Sequence, residues 1–96
     1  MPSNSTFKQF HYTYVLLSHK DGNKYIGYTS DLKRRIIEHN LGKSFSTAFR
    51  RPLSLIYCEA CLSEKDARQR EKYFKSTIGR RYLTKRLSHY FQTIKS

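Results

Sequence analysis

The sequence predicts an α/β fold of the α+β type, in which a small three-stranded antiparallel sheet is flanked by three helices. Two runs rich in aromatic and β-branched residues, 12–17 and 24–29, are separated by the turn dipeptide Asp21-Gly22 and predict a hairpin. A third apolar run, residues 53–60, predicts another strand beside it. Apolar residues at helical spacing follow the hairpin and the third run, and 96 residues suffice for one domain with a modest core.

The predicted hairpin places two tyrosines on one surface. Side chains alternate between the faces of a strand, and the turn is expected to have two or four residues centred on Asp21-Gly22. One face of the hairpin then carries Tyr14, Leu16, Ser18, Tyr25 and Gly27. A glycine in mid-strand usually marks a bulge or the close approach of a backbone or ligand, so Gly27 predicts a notch beside the tyrosines.

The first helix is predicted to begin directly after the hairpin, with Ser30 as its N-cap and Asp31 in its first turn. Its apolar side consists of Leu32, Ile36 and Leu41. Gly42 predicts its end. Arg35 and His39 lie one turn apart along the edge of the apolar side, so we expect them to converge with the two tyrosines on one cleft.

Residues 43–51 lack a sustained period and predict a loop that Pro52 closes. The loop offers three candidate phosphate-binding cations, Lys43, Arg50 and Arg51. It also offers three hydroxyls, on Ser44, Ser46 and Thr47, that could position nucleic acid without reading its sequence. The alternative is an ordinary surface connection.

The second helix is predicted to follow the third strand, whose apolar residues on both faces indicate cover by helices. Ser63 and Asp66 form a capping box that opens this helix, which runs to about Thr77. Gly79 is expected to end it.

One acidic residue of the second helix shares its apolar side. The apolar stripe consists of Ala67, Phe74 and Ile78. Glu71 falls on the same stripe, so we expect its carboxylate to face the core and to be paired, protonated or bound to a metal. The simpler alternative is a salt bridge with Arg35, Arg68 or Lys75.

The third helix is predicted over residues 80–96. Its apolar side consists of Tyr82, Leu83, Leu87, Tyr90, Phe91 and Ile94. Four cations cluster at its start: Arg80, Arg81, Lys85 and Arg86. Because cations at a helix N-terminus oppose the macrodipole, this cluster favours contacts with phosphates over a role in stabilising the helix.

The composition points to a polyanionic partner. The chain has 19 Lys and Arg against seven Asp and Glu, a net charge of +12, and 14 aromatic residues among the charges. The alternatives are a solvated cationic surface without a partner and a protein resting on anionic membrane. We found no secretory signal and no apolar run long enough to span a membrane, so we expect a soluble cytoplasmic protein. Residues 1–11 are predicted to form a flexible N-terminal segment, and residues 12–96 the domain.

The two cysteines, Cys58 and Cys61, form a lone C-x-x-C pair. A structural zinc site usually needs four ligands, so we expect reduced thiols in the core. The alternative is a zinc site completed by two of the four histidines, His11, His19, His39 and His89.

The tripeptide Tyr25-Ile26-Gly27, followed by Arg35 and His39, resembles the core of the GIY-YIG nuclease family. The second triplet of the family signature is intact, whereas the first is replaced by residues 12–14, which keep only its tyrosine. The resemblance covers residues 12–87. It implies a metal-dependent endonuclease that hydrolyses phosphodiester bonds of DNA, with DNA repair or recombination as the expected setting. Because no further DNA-reading motif is present, we expect structure-selective or weakly sequence-selective cutting.

The resemblance also implies the site residues. They are Tyr14, Tyr25, Arg35, His39 and Glu71, with Glu71 as ligand of Mg²⁺ or Mn²⁺. One tyrosine activates water and the other positions it or the phosphate, and the sequence does not say which. The expected asparagine after Glu71 is missing, with Thr84, Ser88 and Gln92 as possible replacements, and Tyr28 and Asn40 are further candidates beside the site.

Two other functions fit the sequence. A non-catalytic module that retains the nuclease fold could bind RNA or branched DNA, as the altered first triplet and the missing asparagine suggest. A basic protein of a membrane surface or of the ribosome would fit the charge alone.

Overall fold

The computed structural model describes residues 9–95, so most of the predicted N-terminal segment lies outside the described residues. The elements are β1 (His11–Ser18), β2 (Lys24–Thr29), α1 (Leu32–Asn40), a 3₁₀ helix (Ala48–Arg50), β3 (Leu53–Cys61), α2 (Glu64–Lys75), α3 (Thr77–Arg86) and α4 (Ser88–Lys95). Within residues 9–95, none of the helices is long and apolar enough to cross a membrane.

The strands form the predicted three-stranded antiparallel sheet, in the order β2-β1-β3. Leu16 lies opposite Tyr25 and Tyr14 lies opposite Gly27, so the predicted face of the hairpin is confirmed. The turn differs from the prediction. Its four residues are centred on Lys20 and Asp21, which shifts the register by two residues and therefore leaves every side chain on the same face.

The strand buried on both faces is the central one, β1, in which residues 13–18 are all buried. The predicted cover on both faces of β3 is wrong: β3 lies at the edge, alternates between partly buried and exposed residues, and leaves Leu55 40% exposed. Its register with β1 shifts between Val15 and Leu16, where residues 55 and 57 are paired and Ile56 is passed over. This shift sends Ile56 toward the core around Val15.

Helices cover both faces of the sheet and enclose two clusters of apolar residues. On one face, α2, α3 and α4 pack over a cluster formed by Val15, Ile26, Phe74, Leu83 and Leu87. On the other, α1 packs over a cluster formed by Tyr14, Leu16 and Leu53, with Tyr25, Leu32 and Ile36 against it. The second cluster contains both tyrosines of the predicted cleft.

The N-cap of α1 is Asp31 and not the predicted Ser30. The Asp31 side chain accepts a hydrogen bond from the Arg34 amide at 3.1 Å, which satisfies one of the free N–H groups of the first turn. Gly42 follows the helix with a φ of +80°, the left-handed conformation that favours glycine. The predicted cap of α2 is confirmed, since the Ser63 hydroxyl accepts from the Asp66 amide.

The predicted third helix is two helices, α3 and α4, which are separated at Leu87. The chain also turns between α2 and α3, at Ser76. Its hydroxyl donates to the Tyr73 carbonyl at the end of α2 and accepts from the Gly79 amide in the first turn of α3. Gly79 therefore does not end α2 as predicted. A Cβ at Gly79 would overlap the Tyr73 carbonyl oxygen, so the close packing of α3 on α2 requires glycine there.

Candidate active site

The site is built around the buried phenol of Tyr14, which β1 places on the face covered by α1. The ring crosses the predicted notch, because a Cβ at Gly27 would overlap Tyr14 Cζ and Oη. The Tyr14 hydroxyl lies 2.7 Å from His39 Nε2. Gly27 thus leaves room for a neighbouring side chain of the protein itself.

His39 is completely buried, although its position in α1 predicted the edge of the apolar stripe. Its Nδ1 lies 2.7 Å from the hydroxyl of Thr47, which is also completely buried. Burial, together with the nearby charge of Arg35, lowers the pKa of His39 to about 4. The imidazole is therefore neutral at pH 7, and it donates through one ring nitrogen and accepts through the other.

Tyr14 is only 1% exposed, and this burial raises its pKa to about 12. A hydrogen bond from Arg35 opposes the effect, because it stabilises the phenolate. The phenol stays protonated at neutral pH. Its hydroxyl joins Arg35 on one side to His39 and Thr47 on the other.

Arg35 lies beside the Tyr14 hydroxyl with part of its side chain in solvent, since that side chain is 31% exposed. Nη1 donates to Glu38 at 3.1 Å, and Nη2 lies 3.5 Å from the hydroxyl of Ser44. Burial lowers the pKa of Arg35, but hydrogen bonds with Glu38 and Tyr14 outweigh it and the pKa is raised. Arg35 therefore carries a permanent positive charge in a fixed orientation.

Tyr25 is the more accessible of the two phenols. It is partly buried, and its ring lies 5.2 Å from the His39 ring and 6.5 Å from the Tyr14 ring, measured between centroids. Its hydroxyl lies 3.4 Å from the exposed hydroxyl of Ser46. The structure thus brings together four of the five predicted catalytic residues, with Tyr14 and His39 inside and Tyr25 and Arg35 toward solvent.

Glu71, the fifth, is partly buried and not in the core, and the alternative prediction of a salt bridge with Lys75 is confirmed. Its side chain is 20% exposed, and it pairs with Lys75 in the next turn of α2 at 3.1 Å. The supposed stripe fails because Ile78 belongs to α3 and is 67% exposed. α2 packs on the face of the sheet opposite Tyr14, and the negative charge of Glu71 adds to the effect of burial in raising the pKa of Tyr14.

A single carboxylate at this position fits Mg²⁺, which keeps several waters and needs only one or two carboxylates beside substrate phosphates. The exposed ion pair with Lys75 is of a kind that contributes little to stability, so it is readily exchanged. Within residues 9–95, no three His, Cys, Asp or Glu side chains lie close enough together to form a metal site. The described residues therefore contain no ligand cluster for the zinc site that the sequence left as an alternative. The register of β3 with β1 also places Cys58 and Cys61 on opposite faces of β3.

Both cysteines are free, but the expectation that they lie in the core is wrong, because Cys58 is exposed and Cys61 is only partly buried.

The two further candidates for a place beside the site, Asn40 and Tyr28, make structural contacts instead. Asn40 bonds the backbone of Leu53 in both directions and so joins α1 to β3. Tyr28 contacts the His11 ring and the Arg68 guanidinium on the other side of the sheet.

The loop cations have different surroundings. Arg50 donates to Asp21 at 2.7 Å and to backbone carbonyls of β2 and its turn, which fixes the loop to the hairpin. Arg51 donates to the Ala48 carbonyl and is exposed, and Lys43 is exposed. Lys43 and Arg51 are therefore accessible to phosphates, whereas the charge of Arg50 is already paired.

The cations of the predicted third helix do not form one cluster at a helix start. Arg80, Arg81 and Lys85 line a concave surface of α3. Arg86 lies over the Tyr57 ring instead. Because Lys85 and Arg86 occupy the last turn of α3, they complement the macrodipole, and the argument that these cations oppose it fails for them.

The possible replacements for the missing asparagine lie in a different groove. That groove is lined by Lys24, Thr84, Ser88, Phe91 and Gln92. The four cleft residues do not line it. The groove therefore gives no evidence that Thr84, Ser88 or Gln92 lies beside the four site residues.

The sequence predicted for Thr47 only a loop hydroxyl that could contact nucleic acid, and it gave no indication of the hydrogen bond with His39. The 3₁₀ helix that follows Thr47 fixes the loop so that the hydroxyls of Ser44 and Thr47 point inward and are buried. Because neither residue belongs to a periodic segment, their positions depend on the tertiary path of the loop. The useful signal was the density of hydroxyls directly after His39.

Comparison with known proteins adds independent evidence on the family of this chain. The model of the GIY-YIG catalytic domain matches residues 10–84. A UPF0213 protein of Bacillus pumilus is 44% identical over 70 residues, which cover 72% of this chain and 70% of the relative. A UPF0213 protein of Streptococcus agalactiae is 43% identical over 74 residues, which cover 76% of this chain and 83% of the relative.

The fold is also similar to a solved one. The solution NMR structure of a UPF0213 protein from Bacillus halodurans superimposes with a TM-score of 0.50 at 37% sequence identity. The match covers 79% of this chain and 83% of that one.

Proposed function

The chain belongs to the GIY-YIG catalytic domain family, and from this membership we propose that it is a metal-dependent DNA endonuclease. The observation that carries the proposal is that four residues contact one another at one place: Tyr14, Tyr25, Arg35 and His39. Phosphodiester hydrolysis requires a base for the attacking water and positive charge beside the phosphate. The cleft of a protein with a net charge of +12 provides both.

Arg35 is the proposed phosphate ligand. Its charge is permanent, its orientation is fixed by Glu38, and part of its guanidinium reaches solvent. A planar guanidinium donates two parallel hydrogen bonds to phosphate oxygens. In this role Arg35 stabilises the negative charge that develops on the phosphate as the new P–O bond forms and the bond to the leaving oxygen breaks.

Tyr25 is the proposed partner of the attacking water. Water reaches its partly exposed hydroxyl, whereas the Tyr14 hydroxyl is buried against His39. For this step the Tyr25 phenol first gives its own proton to solvent, with the positive charge of Arg35 beside the resulting phenolate. The phenolate oxygen then takes a proton from the attacking water, whose oxygen bonds to phosphorus as the bond to the leaving oxygen breaks. Tyr14, His39 and Thr47 form the buried hydrogen-bonded support that orients Arg35 and the Tyr25 ring.

Glu71 is the proposed ligand of Mg²⁺ or Mn²⁺. When bound, the ion supplies Lewis-acid stabilisation of the phosphate and of the leaving oxygen. Glu71 holds a hard carboxylate oxygen at a partly buried position from which its charge acts on Tyr14, and exchange of Lys75 for the ion leaves its charge paired.

A second function, nucleic-acid binding without cleavage, is favoured by one observation. Thr84, Ser88 and Gln92, the candidates to replace the missing asparagine, line a groove that the four cleft residues do not. A protein of this kind would retain the fold and charge but show no turnover.

A nicking assay tests the proposal. Supercoiled plasmid and a branched duplex are incubated with the protein in Mg²⁺ or in EDTA, and Arg35→Ala is compared with Arg34→Ala. Arg34 is the adjacent arginine of α1, also bonds Glu38 and is 59% exposed, so it controls for loss of one charge. We expect Mg²⁺-dependent nicking by the parent and by Arg34→Ala only. Binding without nicking by the parent would refute the nuclease and leave the binding module.

A further inference from the structure

The loop between α1 and β3 exposes two phenylalanines. Phe45 is 92% exposed and Phe49 is 78% exposed, more than any other large apolar residue within residues 9–95. Single exposed apolar residues are common on protein surfaces. Two exposed aromatic rings within five residues of one loop indicate a ligand-binding surface, because a ligand that covered both rings would release the water around them.

The backbone that carries these rings is held in place. The buried hydroxyls of Ser44 and Thr47 contact Arg35 and His39 from inside the loop. Arg50 then ties the following 3₁₀ helix to Asp21 in the hairpin turn at 2.7 Å. The rings are therefore presented by an anchored backbone, so little further ordering is required when a ligand binds them.

The first ring stands beside the proposed catalytic residues. Phe45 lies between Ser44 and Ser46, whose hydroxyls contact Arg35 and Tyr25. Consecutive Cα atoms are about 3.8 Å apart, so the Phe45 backbone is within one residue of two contacts with the cleft. A nucleotide whose phosphate lies at Arg35 has a neighbouring base within reach of this ring.

The charges beside the rings select the class of ligand. Lys43 and Arg51 flank the segment and are exposed. Exposed aromatic rings flanked by cations are a combination by which proteins bind single strands, since bases stack on the rings while phosphates contact the cations. In a duplex the base faces are stacked on one another and unavailable.

We propose that Phe45 and Phe49 stack unpaired bases, and that the substrate of the cleft is single-stranded DNA or a single-stranded segment of a branched DNA. The substrate class rests on the proposed nuclease function, whereas the stacking surface is a property that binding alone can measure.

Binding is measured by fluorescence anisotropy in EDTA, with an oligothymidylate, an abasic strand of the same length and a duplex. We expect Phe45→Ala and Phe49→Ala each to weaken binding of oligothymidylate at least about fivefold, as loss of one stacked base predicts. Affinity for the abasic strand and the duplex should stay within twofold of the parent. Equal weakening on the abasic strand, or no weakening on oligothymidylate, would overturn the proposal.

Leu62→Ala and Ile78→Ala serve as matched controls, because these residues are 55% and 67% exposed and lie outside the loop. Both should bind every strand as the parent does. If they weaken binding of oligothymidylate as much as the phenylalanine variants, the effect is one of general surface hydrophobicity and the proposal fails.

Direct contact is tested with Phe45→Trp, because the chain contains no tryptophan and the new indole is a unique fluorophore. Oligothymidylate should quench its emission, and the abasic strand should leave it unchanged. Unchanged emission under saturating oligothymidylate would refute stacking at this position and favour a protein partner for the loop. The assay requires no cleavage, so a protein that stacks bases but never nicks DNA would refute only the nuclease.

Discussion

The phenol of Tyr14 lies directly over Gly27 of the neighbouring strand, in the space that the Cβ of any other residue would occupy. This relationship connects the intact second triplet of the signature with the tyrosine that survives from the first. The glycine is needed for packing: it lets the Tyr14 hydroxyl reach both His39 and Arg35.

Gly27→Ala should therefore displace the Tyr14 ring and disrupt the cleft. We expect a loss of about 1–3 kcal/mol in the free energy of unfolding, typical of overpacking, and loss of most of the cleavage activity. Urea denaturation and the nicking assay measure the two effects. In a Tyr14→Ala background the same substitution should destabilise much less, and an equal cost in both backgrounds would show that the clash is not with Tyr14.

The part of this site that the sequence predicted is the part governed by local periodicity. Tyr14, Tyr25 and Gly27 share one face of the hairpin because side chains alternate along a strand. The prediction of this face is therefore correct although the turn is centred one residue earlier than expected. The proximity of Arg35 and His39 follows equally from their spacing in a helix. The caps at Ser63 and the stop at Gly42 are also local signals, and the structure contains both.

What the sequence did not predict depends on contacts between distant segments. The end of α2 at Lys75 depends on Ser76, whose hydroxyl bonds both α2 and α3, and on the packing of Gly79 against Tyr73. The prediction that Glu71 faces the core failed for the same reason, because its supposed stripe continued into another helix. The His39 contact with Thr47 depends on the path of an aperiodic loop.

Thr47 should matter for the site and not only for stability. Thr47→Val keeps the shape but leaves His39 Nδ1 without its buried partner, which should cost about 1–3 kcal/mol of stability. We also expect a reduced cleavage rate, because the imidazole that supports Tyr14 loses its fixed orientation.

The matched control is Thr13→Val. Thr13 is equally buried, and its hydroxyl donates to the Ala67 carbonyl on the other face of the sheet. It should lose stability without losing cleavage rate at a temperature where both variants are folded. Equal cleavage rates for the two variants would assign Thr47 a purely structural role.

The burial of His39 predicts a pH dependence of stability. The folded protein holds the pKa of His39 at about 4, below its ordinary 6.5, so the unfolded chain binds the proton first as pH falls. The free energy of unfolding should therefore be lost as pH falls from about 6.5 to about 4. A pKa difference of about 2.5, at about 1.4 kcal/mol for a difference of one, corresponds to roughly 3–4 kcal/mol.

Urea denaturation at several pH values between 4 and 7.5 measures this loss, and His39→Gln is the comparison. The variant cannot titrate at this position, so its stability should change less over the same range. Parallel curves for parent and variant would mean that His39 takes up its proton as readily in the folded protein as in the unfolded chain.

Glu71 separates the enzyme from the binding module. Glu71→Gln keeps the shape of the side chain and removes the charge that the proposed metal ion requires, so it should bind DNA at least as well as the parent and fail to cut at any Mg²⁺ concentration. Glu64→Gln is its control, because Glu64 lies on the same helix and forms a salt bridge with Arg68 at 2.8 Å, and its substitution changes the net charge equally. The control should cut DNA at the parent rate. Nicking by the parent that persists in EDTA and in Glu71→Gln would show that cleavage depends neither on a metal ion nor on this carboxylate.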